Sequence, residues 1–313
     1  MNMNGKKHMS PMGLGCWPLG GDQWGPGAND GDAIATIEAA YDDGINHFDT
    51  AQAYGRGHGE ELVGKVLKNM RDEVFIATKI FYTPKEKVEA SVAASLKRLQ
   101  TDWIDLMYIH WPKKGGDLSG MMESLENLRL RKIIRSIGVS NFSVANMQEV
   151  MKAGSIDFCQ VCYNVLWRRE ERELIPFCVN NGIKIITYSS LAEGILTGKF
   201  GKELNFPAED HRKYTVLFDK NTWPKIYETV EKLKAVVAPL KIPLAHCAIQ
   251  WLLAREGVVS VLAGARSPEQ VRNNVGALES RIGMGQLLEK LTEISDRLAP
   301  DIPDERNIFK WNP

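Results

Sequence analysis

Short apolar runs alternate along this chain with longer segments whose apolar residues recur every three or four positions. Met12–Trp17 is the first such run, and a polar, Gly-rich loop follows it through Asn29. Asp30 is placed to cap a helix with Ile34, Ile37 and Tyr41 on one face, ended by Gly44. Further runs at Asn46–Phe48, Val74–Thr78, Trp103–Ile109, Ile133–Val139, Asp157–Tyr163, Lys184–Tyr188 and Val258–Ala263 predict strands buried on both faces. Helical spacing fills the gaps between them. Leu62, Val63, Val66 and Leu67 mark a helix after Gly59, and Thr83-Pro84-Lys85-Glu86 reads as a capping box opening the next. Helices are also predicted around Met121–Leu130, after Ser143, near Glu171–Val179 with Pro176 bending or shortening it, and near Trp223–Leu240 and Leu244–Arg255. Ser267-Pro268-Glu269-Gln270 reads as a second capping box, and a helix near Met284–Leu298 precedes a tail bearing Phe309 and Trp311.

Strand and helix alternate eight times, with no linker-like shift in composition and no dinucleotide fingerprint after the first strand. The pattern predicts a closed (β/α)₈ TIM barrel, one domain over residues 1–313, with extra helices and long loops at the C-terminal face. The chemistry of such a barrel collects at the strand C-terminal ends, where loops vary over a rigid sheet. Ionisable and polar residues stand at those ends here: Asp49 with Tyr54 in the loop beyond it, Lys79, His110, Ser140-Asn141, Gln160, Tyr188 and Gly264–Arg266. Three successive strands each ending on an ionisable residue is not a pattern that buried strands produce on their own account.

Composition narrows the partners. The 313 residues are 44% hydrophobic and 25% charged with net charge +0, an ordinary globular profile that argues against nucleic acid or a membrane surface as the main partner. No apolar run approaches the roughly 18 residues that a membrane helix needs, and Met-Asn-Met-Asn-Gly-Lys-Lys-His has no apolar signal core. Five cysteines suggest no disulfide framework, so a reducing cytoplasm fits, with the chain a monomer or weak homo-oligomer. Cys159 and Cys162 lie an odd number of residues apart on one strand and face opposite ways, which disfavours a shared metal. His47 and Asp49 share a face, but no further set completes a metal site, so none is expected.

The motifs Asp49-Thr50-Ala51…Tyr54-Gly55, Ala77-Thr78-Lys79, Tyr108-Ile109-His110, Gly138-Val139-Ser140-Asn141-Phe142, Gln160…Tyr163-Asn164 and Tyr188-Ser189…Leu191 fall in order over nearly the whole chain. The series resembles that of the aldo-keto reductases. Ser190 replaces a common proline, and Lys132-Ile133 replaces a common Gly-Lys, both away from the matched catalytic positions. The resemblance implies NADPH-dependent reduction of an aldehyde or ketone, with NADPH/NADP⁺ as cofactor and a catalytic tetrad of Asp49, Tyr54, Lys79 and His110. It assigns Ser140, Asn141 and Gln160 to the nicotinamide carboxamide and Tyr188 to its ring. Ser189 at the end of the seventh strand is a further cofactor contact, and Leu191, Gly194, Lys199 and Arg212 belong to a loop over about Leu191–Asn221 that is expected to fold over the pyrophosphate. Gly264 and Arg266 meet the 2′-phosphate, with Gln270, Asn273 and Asn274 near the ribose and adenine. Trp24, Trp111 and Trp167 are expected to line the substrate pocket. The alternative is a cofactor-binding regulatory subunit of the channel β-subunit type. The residues support reduction directly: a carbonyl receiving hydride needs a proton donor and positive surroundings, and Lys79 beside Tyr54 is expected to lower the phenol pKa.

Overall fold

The computed structural model describes residues 9–21, 29–207, 209–279 and 284–311. Eight parallel strands pair in sequence order and close on themselves: β1 Met12–Gly15, β2 His47–Asp49, β3 Phe75–Ile80, β4 Ile104–Ile109, β5 Ile134–Ser140, β6 Phe158–Cys162, β7 Lys184–Tyr188 and β8 Val258–Gly264. β1 meets β8 with Met12 beside Val261 and Gly15 beside Gly264, which completes the barrel. Around it run α1 Asp30–Asp42, α2 His58–Leu67, α3 Val88–Leu99, α4 Leu118–Leu130, α5 Val144–Val150, α6 Leu174–Asn180, α7 Trp223–Val237, α8 Leu244–Leu253, α9 Pro268–Glu279 and α10 Met284–Leu298. No single helix among the described residues is long and apolar enough to cross a membrane.

Local chemistry explains where the expected boundaries move. Asn29, not Asp30, caps α1: its backbone is extended and its side chain accepts from Asp32 N, while Asp30 and Asp32 complement the dipole from inside the first turn. The Thr83 box does not form. Pro84 stays extended at ψ 143°, Thr83 Oγ1 bonds back to Phe81 O, and a 3₁₀ turn at Lys85–Lys87 delays α3 to Val88. Ser143 does make a reciprocal box, with Asn146 as its partner. The Ser267 box forms by half: Ser267 Oγ accepts from Gln270 N, but Gln270 Oε1 reaches past Ser267 to Arg266 N, at 2.9 Å. Pro176 sits in the first turn of the short α6, where its missing N–H leaves nothing unpaired. The segment after β7 is not structureless, since 3₁₀ turns at Ala192–Thr197, His211–Tyr214 and Val216–Phe218 fold it.

One apolar layer lies between barrel and helices, and a smaller one, including Leu106, Tyr108, Phe158 and Leu262, fills the barrel itself. Ser10 closes the floor: its N–H donates to Asn46 Oδ1, its Oγ accepts from Asn46 N, and its carbonyl accepts from Ser260 Oγ. The ring of Tyr108 occupies the space beside Gly138 that a side chain would fill; a Cβ there would lie 2.5 Å from the ring. Gly138→Ala is therefore expected to destabilise the fold by about 1–3 kcal/mol through overpacking, read as a lower denaturant midpoint at unchanged m-value.

Candidate active site

The strand ends open into a cleft of about 820 Å³. At its base Lys79 and Asp49 form a buried ion pair, with side-chain exposures of 0% and 3%. Lys79 Nζ also donates to Thr50 O at 2.9 Å and to Tyr54 Oη at 3.2 Å, so all three ammonium hydrogens are used. Asp49 places its second oxygen, Oδ2, on Gln160 Nε2 at 2.8 Å. Tyr54 is set by a close loop crossing: Gly55 adopts φ 58°, and a Cβ there would meet Gly20 O at 2.3 Å. His110 follows β4 and lies edge-on to the Tyr54 ring, their centroids 6.0 Å apart. The tetrad expected from sequence is thus assembled in one place.

Electrostatics refine its behaviour. Burial pushes the Asp49 carboxyl above its ordinary value, against Lys79 and Gln160. Burial pulls the Lys79 ammonium down, but Asp49 and Tyr54 outweigh it and hold the group above its usual value. Burial then raises the Tyr54 phenol, and Lys79 only opposes that rise. The expected net lowering of the Tyr54 pKa is therefore not seen here, because desolvation of a buried phenolate outweighs the nearby cation. Burial, then Lys79, push His110 well below its normal range, so its imidazole is neutral. Its Nδ1 is buried and has no hydrogen-bond partner among the described residues.

The expected cofactor residues line the same cleft, with some rearranged duties. Asn141 stands at φ 63°, a left-handed conformation that asparagine tolerates at a functional turn. Its amide accepts from Tyr188 Oη at 2.6 Å and donates to His110 O and Ser140 Oγ, so it braces neighbours rather than pointing free into the cleft. Gln160 likewise braces Asp49. Ser189 and Leu191 lead into a strained stretch, Ala192 at φ 48°, Glu193 at 54° and Gly194 at 95°. Lys199, Arg212 and Arg266 converge at the far end, where burial and then the two guanidinium groups lower the Lys199 pKa. Arg212 is steadied by Asp210, Nε to Oδ1 at 2.9 Å. Gly264, Gln270, Asn273 and Asn274 border this end. His246 Nε2 donates to Asn273 O and Oδ1, and Asn274 Nδ2 reaches Gly264 O at 3.4 Å.

The substrate-pocket expectations divide. Trp111 lines the cleft. Trp167 does not: it is buried in a neighbouring cavity on the other side of Tyr188 and Asn141, because the Asn164–Trp167 turn directs it outward from the barrel axis. Trp24 lies outside the described residues. Sequence reading missed Trp17, Glu193 and His211. Trp17 lies near-parallel to Tyr54, and His211 packs on Trp17 at 4.6 Å while pairing with Glu193 at 3.3 Å. The tail, where sequence reading places part of the specificity along with the variable loops, returns across the mouth, with Trp311 edge-on to Trp111 at 4.6 Å and Phe309 parallel to Tyr188 at 6.2 Å.

A buried lysine–aspartate pair holding a tyrosine beside a neutral histidine, with a cationic groove leading away, defines a barrel oxidoreductase site. The chain belongs to the aldo/keto reductase family, whose model matches residues 11–287, and its chemistry is NAD(P)H-dependent carbonyl reduction. It is 32% identical over 320 residues to the NADH-specific methylglyoxal reductase of Escherichia coli, covering 92% of this chain and 96% of that one. Its fold is similar to that of a glycerol dehydrogenase from Gluconobacter oxydans, with a TM-score of 0.85, 29% identity and coverage of 95% and 94%. It is also similar to an aldo-keto reductase from Klebsiella pneumoniae solved with NADPH, with a TM-score of 0.73, 26% identity and coverage of 96% and 94%.

Removing the cation should expose the electrostatic debt at the base of the site. Lys79→Met leaves Asp49 buried and unpaired, an expected loss of about 3–5 kcal/mol near neutral pH. A carboxyl with a raised folded pKa is favoured below its unfolded pKa and penalised as pH rises through the folded one. The stability difference from wild type, followed by denaturant unfolding across pH, is expected to shrink as the medium is acidified.

Proposed function

We propose that this protein is an NADPH-dependent reductase of aldehydes or ketones in which Tyr54 delivers the proton. The observation that carries the reading is the use of all three Lys79 hydrogens: Tyr54 Oη accepts one of them, so its own O–H is left to donate outward to a ligand in the cleft. NADPH bound in this cleft supplies the hydride. Tyr54 and His110 would then flank the carbonyl oxygen, Tyr54 passing its proton as negative charge grows there and the neutral imidazole giving a hydrogen bond. Lys79 steadies the phenolate left behind, and Asp49 keeps Lys79 charged. The high phenol pKa suits this direction, since Tyr54 stays protonated through neutral and mildly alkaline pH. The regulatory-subunit alternative is the weaker reading: Asp49, Tyr54 and His110 line the cleft over a buried Lys79, which disfavours it only in part because such subunits can keep an intact tetrad, and the similar channel β subunits are more distant in sequence than the reductases. We extend the reading to one domain over residues 1–313, acting as a monomer or weak homo-oligomer in a reducing cytoplasm, which five buried, free thiols suit.

Residues fit the cofactor on structural grounds. Lys199, Arg212 and Arg266 gather cationic charge at one end of the cleft, and the α9 N-terminus begins there behind Gly264 and Arg266. Arg266 is exposed, as a group reading a 2′-phosphate at the rim would be.

Two substitutions test the reading. Tyr54→Phe removes only the proton and should lower kcat by the roughly 10²–10⁴-fold typical of a general acid while cofactor affinity holds; steady-state kinetics showing near-wild-type turnover would exclude Tyr54 as the donor. Arg266→Ala should weaken NADPH by roughly 10- to 150-fold, the worth of a charge-assisted pair, and leave NADH nearly untouched. Dissociation constants for both cofactors by tryptophan-fluorescence quenching decide it, and a wild-type preference for NADH would reverse the cofactor assignment.

A further inference from the structure

Gln52 stands two residues before Tyr54 and is bonded in three directions. Its backbone N–H donates to Lys79 O at 3.2 Å, which joins it to the strand position that carries the ammonium. Its side chain is held by α3: Nε2 donates to Ser91 O at 2.8 Å and to Ser95 Oγ at 2.9 Å, and Oε1 accepts from Ser91 Oγ at 3.2 Å. Ser95 is fully buried, and Arg98 Nη2 reaches its Oγ at 3.5 Å. Arg98 in turn pairs with Glu60 of α2, Nε to Oε2 at 2.6 Å, and the second Glu60 oxygen accepts from Thr78 Oγ1 at 2.6 Å. Thr78 is the neighbour of Lys79 on β3. A chain of polar contacts therefore leaves the Tyr54 loop, passes through α3 and α2, and returns to the strand beside Lys79. None of these side chains lines the cleft.

We propose that Gln52 is a positioning residue for the reaction, holding the Tyr54 turn at the height over Lys79 from which the phenol proton is delivered. The inference rests on Tyr54 being the proton donor. Two of the three acceptors that Lys79 uses, Thr50 O and Tyr54 Oη, lie on the segment that Gln52 anchors, and only Asp49 belongs to the strand itself. A small shift of that segment would therefore loosen both the ammonium and the phenol. The far side of the turn is held as well. Gly57 closes it at φ 100°, and a Cβ there would lie 2.7 Å from the Arg98 side chain. The helices that carry the network are themselves tightly set, since a Cβ on Gly64 of α2 would lie 2.5 Å from the Leu99 backbone of α3. A joint made of directional hydrogen bonds fixes distance and angle where an apolar contact fixes only proximity. Tyr54 is thus gripped through Gln52 before it and against Arg98 after it.

Single-turnover oxidation of bound NADPH by 4-nitrobenzaldehyde, followed by stopped flow on the full chain, reads the chemical step and tests this. Gln52→Met keeps the length of the side chain and removes its hydrogen bonds. It is expected to slow the step roughly ten- to hundred-fold, as a displacement of about an ångström near the chemistry does. The dissociation constant for NADPH should hold, because Lys199, Arg212 and Arg266 belong to the segments after β7 and β8. Ser95→Ala removes the hydroxyl that Gln52 shares with Arg98; it is expected to slow the step in the same sense, and it carries the test should Gln52→Met fail to fold. The decisive comparison is made in a Tyr54→Phe background. There Gln52→Met, or Ser95→Ala in its place, is expected to cost little more, because a residue that acts through Tyr54 has no proton left to position. A further loss as large as in the wild-type background overturns the proposal, since the effect then does not pass through Tyr54. A wild-type rate in Gln52→Met, or in Ser95→Ala where that variant stands in, also overturns it. Near-wild-type turnover by Tyr54→Phe alone is a separate result, which removes Tyr54 as the donor and the positioning role with it.

Discussion

Lys79 and Asp49 form an ion pair that water does not reach, and a pair of that kind persists only where its remaining polar atoms are also satisfied. Most of the strand-end architecture can be read as meeting that condition. Thr50 lends a carbonyl, Gln160 lends an amide hydrogen, and Tyr54 lends its phenol oxygen. Thr50 and Tyr54 come from the loop after β2 and Gln160 from β6, so the pair ties β2, β3, β6 and that loop into one rigid unit. Rigidity here has a chemical use, because a proton donor held within a few tenths of an ångström loses little entropy when its target arrives.

The cleft is electrically asymmetric along its length. Its inner end is aromatic, with His110 kept neutral by burial. Its outer end carries Lys199, Arg212 and Arg266, close enough that the guanidinium charges lower the ammonium pKa. A dinucleotide has a matching asymmetry, phosphates at one end and an uncharged ring donor at the other. The similar proteins do not agree on which dinucleotide: one is named NADH-specific and another was solved with NADPH. On the proposed reading, Lys199 and Arg212 would meet what the two cofactors share, and the discriminating group would be a single exposed arginine, Arg266, at a helix start. Preference between the two cofactors can therefore differ among relatives without any change in the barrel.

Much of this was legible in the sequence, for a physical reason. Strands of a parallel barrel are buried on both faces, so their apolar runs stand out and the polar residue that ends each run is conspicuous. Asp49, Lys79 and His110 were found that way. What escaped was set by partners distant in sequence. The net effect on Tyr54 depends on how deeply Trp17 and the surrounding loops bury it, which no motif encodes. Gln160 and Asn141 line the cleft as expected, but no motif shows that their amides also brace Asp49, Tyr188 and His110 across the barrel. Trp167 sits beside the site in sequence order and outside it in space, because the Asn164–Trp167 bridge reverses the chain first. The two Thr/Ser-Pro-x-Glu/Gln boxes had the right composition, yet only part of one formed, since Pro84 was held extended and Gln270 found Arg266 instead.

The seam between β1 and β8 joins Met12 to Val261, the two ends of almost the whole chain. On a ribosome the first strand therefore waits, one edge unpaired, until some 250 further residues have been made, as the Ser10–Ser260 bond also requires. An open parallel sheet with bare edges is a template for wrong pairing, and pairings of such long range form slowly. The nascent protein thus spends most of its synthesis as an incomplete arc, and its vulnerability to aggregation in the cell is greatest just before the last strand emerges. The tail that lays Phe309 and Trp311 over the mouth comes later still, so the catalytic base is assembled before the cleft above it is covered.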